Sequence, residues 1–133
     1  MQAIEELLIC HEGIRLKPYT DTQGKLTIGV GRNLTDKGIS KLEAMQLLRN
    51  DIESITGQLN TLPVFRGLKD HQKAALIDMG FNLGFNGILQ FTQMWNALGR
   101  CDYALAAKEM LDSKWTSQVG NRAVELASMI KAE

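Results

Sequence analysis

Apolar residues in the first dozen positions recur at helical spacing. Ile4, Leu7, Leu8 and His11 share one face of a predicted helix over residues 1–12, and Ala3, Leu7, Cys10 and Ile14 share an adjoining one. Gly13 predicts the stop, because glycine takes the left-handed cap conformation without steric penalty. Pro18 then forbids helix and favours extended chain. Between residues 17 and 35 the period changes. Lys25-Leu26-Thr27-Ile28-Gly29-Val30 alternates polar and apolar, which is a strand period, and Thr22-Gln23-Gly24 supplies a turn. Gly29 and Gly31 on the return strand fit a bulge or a close approach by another backbone or a ligand, and equally a plain twisted hairpin.

The remaining pattern is helical. Ser40-Lys41-Leu42-Glu43 is a capping box, so a helix is predicted over 40–60, with Met45, Leu48, Ile52, Ile55 and Leu59 forming one apolar seam. Pro63 ends it or begins a short next turn. Residues 70–83 are apolar on several faces, the pattern of a buried central helix. Gly84 and Gly87 bracket a turn before a helix over 88–98; Asp102 caps another to about 112, and a last one covers 121–132. The fold class predicted is therefore α+β in one domain over 1–133. A small β-hairpin lobe at about 14–39 is joined by a linking helix at about 40–60 to a larger helical lobe built from about 1–12 and 60–133.

Composition narrows the function. The 133 residues are 44% hydrophobic, enough for a core, and Lys plus Arg equals Asp plus Glu at 15 each. A neutral balance gives no support for nucleic-acid binding, and any basic surface for an anionic polymer must be local. No apolar run approaches the ~18 residues of a membrane span. Glu5 and Glu6 stand where a secretory signal would be basic, so synthesis in a cytoplasm is expected. Cys10 and Cys101 show no metal-type spacing and read as reduced, partly buried thiols, with a single disulfide as the alternative. Neither a metal nor a cofactor is expected.

The candidate chemistry lies between residues 12 and 27. Glu12 falls in the last turn of a helix, where unpaired carbonyls disfavour a carboxylate and so suit a proton donor; an inert exposed Glu is the bland alternative. Asp21 lies in the polar turn and should be ionised there, or it bonds its own backbone as turn aspartates do. Thr27, on the return strand, could hold a water, or is there for its β-propensity. Two carboxylates on different elements across a gap is the arrangement that glycosidic hydrolysis needs.

The stretch Glu12-Gly13-Ile14-Arg15-Leu16-Lys17-x-Tyr19-x-Asp21-Thr22-x-Gly24-x-x-Thr27-Ile28-Gly29-Val30-Gly31 resembles the Glu–Asp–Thr motif of the phage-type lysozymes, the bacteriophage endolysins and muramidases of two-lobed α+β fold. Ala74-Ala75-Leu76-Ile77-x-Met79-x-Phe81-Asn82-Leu83-Gly84 resembles that family's buried central helix. Lys114-Trp115 through Gln118 to Asn121-Arg122-Ala123 resembles its C-terminal signature. The likeness covers nearly the whole chain in order. It implies a hydrolase of the β-1,4 bond between N-acetylmuramic acid and N-acetylglucosamine in peptidoglycan, inverting at the anomeric carbon. Glu12 would be the general acid, and Asp21 with Thr27 would position the attacking water. Phe81 and Asn82 would line the cleft floor and Asn33 its upper wall, Phe81 being alternatively a core aromatic. Arg122 would be the partner of the Glu12 region, and Trp115 is expected to pack. The resemblance also implies a monomer without stable membrane association, made in a host bacterial cytoplasm and released to the wall by a separate holin-type permeabilising protein.

Two residues depart from the family pattern. Arg32 stands where relatives often carry His, and His11 where they often carry Asp, so the charge around Glu12 is altered. The β lobe is short, which implies fewer sugar subsites. Competing readings are an inactive wall-binding or structural protein on the same fold, a lytic transglycosylase, which needs an acid but no activated water, and a helical DNA-binding module, which the charge balance disfavours.

Overall fold

A computed structural model describes residues 2–133. Its contacts divide the chain into two compact units, one running to Leu47 and the other Leu48–Glu133. The N-terminal helix, expected with the helical body, falls in the same unit as the hairpin.

In the first unit α1 (Gln2–Glu12) is followed by β1 (Arg15–Thr20), β2 (Leu26–Gly29) and β3 (Arg32–Asn33), and α2 (Lys41–Leu59) begins there. The expected start of the first helix at Met1 lies outside the described residues. Gly13 ends α1 at φ +75, and its N–H donates to the Ile9 carbonyl at 2.7 Å. The strands form an antiparallel sheet in the order β1-β2-β3, with Arg15 opposite Gly29, Tyr19 opposite Thr27 and Thr27 opposite Asn33. The register shifts between Arg15 and Tyr19, the interval that holds Pro18. Proline cannot donate to a ladder, so it is tolerated on an edge strand beside an irregularity. Gly24 (φ +78) closes the β1–β2 turn as expected. The two-residue β3 is too short to leave a period in the sequence.

The first unit has little apolar interior. Among this unit's described residues Thr27, at 4% exposure, is the one that is buried, and every described buried apolar side chain belongs to the second unit. A cavity of about 690 Å³ opens among Ile28, Val30, Leu34, Ile39 and Leu47, with Arg32 and Glu43 at its edge. Polar ties therefore carry much of this unit's order.

The second unit is helical and holds the core. α2 carries the chain into it, and the predicted seam is buried only at its C-terminal end, Ile55 and Leu59. The expected capping box is present: Ser40 N–H donates to Glu43 Oε1 at 2.9 Å, and Glu43 N–H donates to Ser40 Oγ at 3.1 Å. α3 (Pro63–Arg66) starts on Pro63, where a missing N–H costs nothing. α4 (Asp70–Leu83) has the predicted bounds and buries Gln72, Ala75, Leu76, Met79 and Gly80. Those positions form one stripe, so α4 is buried along a face and not all round. Gln72, fully buried, accepts from Lys69 N–H and donates to the Ile130 carbonyl, joining the start of α4 to the end of the last helix.

The helix expected over 88–98 is two helices, α5 (Phe85–Leu89) and α6 (Thr92–Gly99). The chain breaks at Phe91, whose ψ of 58 leaves the helical range, and Trp95 Nε1–H donates across the break to the Ile88 carbonyl at 2.9 Å. α7 (Tyr103–Leu111) is capped as predicted by Asp102, which accepts from Leu105 N–H. A short α8 (Lys114–Val119), not foreseen, precedes α9 (Asn121–Lys131). Trp115 is 3% exposed and meets Phe91 edge-to-face, so it packs as expected. Cys10 and Cys101 are both free and exposed, which corrects the expected partial burial. Cys101 occupies the loop between α6 and α7 at φ +58, and Cys10 lies on α1, which has no buried residue.

Candidate active site

The first unit assembles the candidate acid, turn acid and hydroxyl on neighbouring elements. Glu12 is the last residue of α1, and its side chain is exposed. Two residues, Gly13 and Ile14, separate it from β1, whose first residue Arg15 is paired with Gly29 of β2. That pairing brings the chain beyond Gly29 alongside the end of α1. At Gly31 a Cβ would lie 2.7 Å from Glu12 Oε2, 3.0 Å from its Cδ and 3.2 Å from its Cγ. The Glu12 carboxyl therefore rests on the bare Cα of Gly31. Gly31, expected on the return strand, lies in the turn between β2 and β3, and what approaches it is a side chain of the same unit, where another backbone or a ligand was expected.

Asp21 adopts the turn role anticipated as its alternative. Its Oδ1 accepts from Gln23 N–H at 2.8 Å and from Lys25 N–H at 2.9 Å. Both bonds use Oδ1, which leaves Oδ2 as the oxygen not spent on the turn. Thr27 Oγ1 donates to the Lys25 carbonyl at 2.9 Å, and the same carbonyl accepts from Asp21 N–H at 2.9 Å. The peptide groups of Lys25 thus bind both candidate water-holders, and Asp21 and Thr27 are one hydrogen-bonded assembly. With its hydrogen committed to Lys25, the Thr27 hydroxyl offers only lone pairs to a further partner.

Asn33 lies opposite Thr27 across the β2–β3 ladder. Its side chain is engaged by its own turn, Oδ1 accepting from Asp36 N–H and Nδ2 donating to Asp36 Oδ2, both at 3.0 Å. Arg15 stacks its guanidinium 4.5 Å above the Tyr19 ring, bracing the strand that leads from Glu12 to Asp21.

Arg32 and Glu43 form an ion pair that sequence reading did not join. Arg32 donates from Nη1 to Glu43 Oε1 at 2.8 Å and from Nη2 to Oε2 at 2.7 Å, and Nη1 also reaches the Gly38 carbonyl at 3.1 Å. The Arg32 hydrogen bonds, followed by the Ser40 backbone N–H, lower the Glu43 carboxyl from 4.5 to about 2. The same pair raises Arg32 above its ordinary value. The signal available in the sequence was the capping box, which places Glu43 but says nothing of Arg32.

The other candidates lie in the second unit. Phe81 is 45% exposed, so the core-aromatic alternative does not hold, and it lines a cavity of about 290 Å³ with Ile55, Gly84 and Phe85. Asn82 Oδ1 accepts from the indole N–H of buried Trp115 at 2.8 Å. Arg122 Nε donates to Asp78 Oδ1 at 2.7 Å, and its Nη2 reaches the Asp78 carbonyl at 3.4 Å. Asp78 is a partner that the sequence did not name. Among the described residues there is no group of three or more His, Cys, Asp or Glu placed to hold a metal ion, and no helix is long and apolar enough to cross a membrane.

The family model described as "Phage lysozyme" matches residues 10–132. The chain is 27% identical to "Probable T4-type lysozyme 1" of Dictyostelium discoideum, over 98% of this chain and 95% of that protein. It is 32% identical to an "Endolysin" of Acyrthosiphon pisum secondary endosymbiont phage 1, over 91% of this chain and 83% of the relative. To the "SAR-endolysin" of Escherichia phage Mu it is 33% identical, over 90% of this chain and 74% of the relative.

Proposed function

Because this chain belongs to the phage lysozyme family, we propose that it is a muramidase that hydrolyses the β-1,4 bond between N-acetylmuramic acid and N-acetylglucosamine in peptidoglycan. Glu12 is the general acid that protonates the leaving oxygen. Asp21 and Thr27 hold the attacking water, and the reaction inverts the anomeric carbon. Asn33, Phe81 and Asn82 contact the polysaccharide, and Arg122 is a supporting residue.

The observation that carries this reading is the Lys25 peptide, which binds Asp21 and Thr27 at once. A water lying between Asp21 Oδ2 and Thr27 Oγ1 meets two acceptors. It must donate a hydrogen to each, and its lone pair is then directed away from both. A lone pair so aimed is what in-line attack on an anomeric carbon requires. The 4% exposure of Thr27 suits a water molecule and is too little for a sugar ring. For an inverting site the two carboxyl groups stand ~6.5–9.5 Å apart, leaving room for that water. Proton donation by Glu12 and water activation by Asp21 each contribute roughly 10²–10⁴-fold.

The protein acts as a monomer, takes no cofactor and has no nucleic-acid partner. It is made in a host bacterial cytoplasm and reaches the wall with the help of a holin-type protein. Clearing of a bacterial wall suspension by the wild type, against Glu12→Gln, tests the assignment. The wild type should clear walls and the nearly isosteric variant should not, with its fold intact. Walls left turbid by the wild type at every pH sink the enzyme reading, and anhydro-muramic ends in the products would replace it with a transglycosylase.

A further inference from the structure

Glu12 is exposed at the end of a helix, yet a general acid must be held within a fraction of an ångström. The residue against which it rests is a glycine with a left-handed backbone, Gly31 at φ +66. We propose that Gly31 is a positioning residue for the Glu12 carboxyl, and that the Arg32–Glu43 ion pair holds Gly31 in place. The inference rests on the reading of Glu12 as general acid.

Three observations lead to it. First, the contact is specific to one of two otherwise similar glycines. Gly29 and Gly31 have nearly the same φ, +69 and +66, and both flank Val30. A Cβ at Gly29 meets nothing within 4 Å, whereas one at Gly31 falls 2.7 Å from Glu12 Oε2. The atom displaced is the far end of a flexible side chain. An added methyl therefore displaces the carboxyl and not backbone, and the left-handed strain it brings is the same as at Gly29.

Second, the surface under Glu12 is anchored from both sides. On one side the Arg15–Gly29 pair ties the strand leaving α1 to the strand leading to Gly31. On the other, Arg32 directly follows Gly31 and is clamped to both Glu43 oxygens and to the Gly38 carbonyl. Two parallel guanidinium–carboxylate bonds fix direction as well as distance. Glu43 is itself immobilised, because it accepts from Ser40 N–H at the start of α2. A path of short, directed bonds therefore runs from the first turn of a 19-residue helix to the Cα that Glu12 touches.

Third, the described residues of this unit include no buried apolar side chain to hold a two-residue strand such as β3. The position of residues 31–33 rests on the sheet ladder, the Asn33–Asp36 bonds and the ion pair. Arg32 supplies two donors to one carboxylate, which fixes the turn that carries Gly31 in direction as well as distance.

Steady-state kinetics on soluble peptidoglycan fragments, with the Glu12 side-chain carboxyl followed by carbon NMR, test the proposal. Gly31→Ala should lower kcat roughly 10²-fold with KM within about twofold, and should move the Glu12 carboxyl resonance. Gly29→Ala carries the same left-handed strain with open space around its Cβ and should keep kcat and leave the resonance in place. Arg32→Gln should lower kcat roughly tenfold, and Arg32→Lys, which retains the charge and one bond, should recover part of it. Wild-type kcat in Gly31→Ala overturns the proposal, as does an equal loss in Gly29→Ala, which would make turn strain the cause. Wild-type kcat in Arg32→Gln, or no recovery in Arg32→Lys, removes the clamp from it. A wild type without activity is a different failure, that of the muramidase reading itself. In that case a Glu12 resonance unmoved by Gly31→Ala still overturns the contact.

Discussion

Arg32 and Glu43 meet through two parallel hydrogen bonds at 2.8 and 2.7 Å, and the same carboxylate completes the capping box of α2. One side chain thus closes the loop after β3 and starts the helix that carries the chain out of the first unit. Both tasks need the ionised form, since a carboxylate accepts from Arg32 and from Ser40 with the same pair of oxygens.

The stability of the protein should therefore depend on acid through Glu43. Its folded value is about 2, against an ordinary 4.5. A carboxyl lowered on folding contributes fully above its unfolded value, and the contribution is lost as pH falls toward the folded one. Thermal unfolding midpoints measured between pH 6 and 2 check this. The wild type should exceed Glu43→Gln at pH 6, and the gap should close between about 4.5 and 2. Parallel curves across that range would remove the ion pair from the account of stability.

Much of this fold was legible where a polar residue starts an element and glycine ends it. Asp70 and Gly84 bound α4, Ser40 and Glu43 start α2, Asp102 caps α7 and Gly13 stops α1. The boundary between α5 and α6 was not legible, because the apolar spacing from Ile88 through Met94 to Leu98 continues across Phe91 as if the helix did. The break comes from backbone dihedrals and from the Trp95–Ile88 bond, neither of which leaves a period. The turn that Asp21 closes and the strand that carries Thr27 could be read from local spacing, because both lie within one short stretch of one unit. Partners joined across longer separations could not: Arg32 with Glu43, Asn82 with Trp115 and Arg122 with Asp78 are each set by tertiary structure.

Asp21 combines a turn role with a proposed catalytic one, and Asp21→Asn separates them. An amide oxygen in place of Oδ1 can still accept from Gln23 and Lys25 N–H, so the turn should survive with a loss of about 1 kcal/mol. The neutral side chain can neither take a proton from water nor balance positive charge, so kcat should fall roughly 10²-fold or more. Asp21→Ala should lose the turn bonds as well. Urea unfolding beside wall clearing distinguishes the two. Full activity in a stable Asp21→Asn would end the assignment of Asp21.

Cys101 sits at φ +58, the one described non-glycine residue in the left-handed region. A side chain there costs about 1–2 kcal/mol, and glycine gives back about 0.5–1 kcal/mol in unfolded-chain entropy. Cys101→Gly should therefore stabilise the protein by about 0.5–1 kcal/mol, a rise of about 2–3 °C in Tm by calorimetry. A second readout is independent of stability. Donation of a hydrogen bond by the Tyr103 hydroxyl to the Cys101 side chain, followed by desolvation, raises that hydroxyl above its ordinary 10.0. In the variant its ultraviolet titration should move back down toward that value.

Asn82 poses the sharpest separation of structure from substrate contact. Its Oδ1 accepts from the indole N–H of Trp115, a residue 3% exposed. Asn82→Ala should cost about 0.5–1.5 kcal/mol, the net worth of the part-buried hydrogen bond it removes. Only Nδ2 then remains for a sugar hydroxyl or acetamide carbonyl. Asn82→Asp keeps an acceptor for Trp115 and exchanges that donor for an acceptor. It should unfold in urea close to the wild type, yet raise KM on peptidoglycan fragments roughly three- to tenfold, the worth of one neutral hydrogen bond. An Asn82→Asp protein with wild-type stability and wild-type KM would leave Asn82 as the anchor of Trp115 alone, and the proposed cleft floor would have to be built without it.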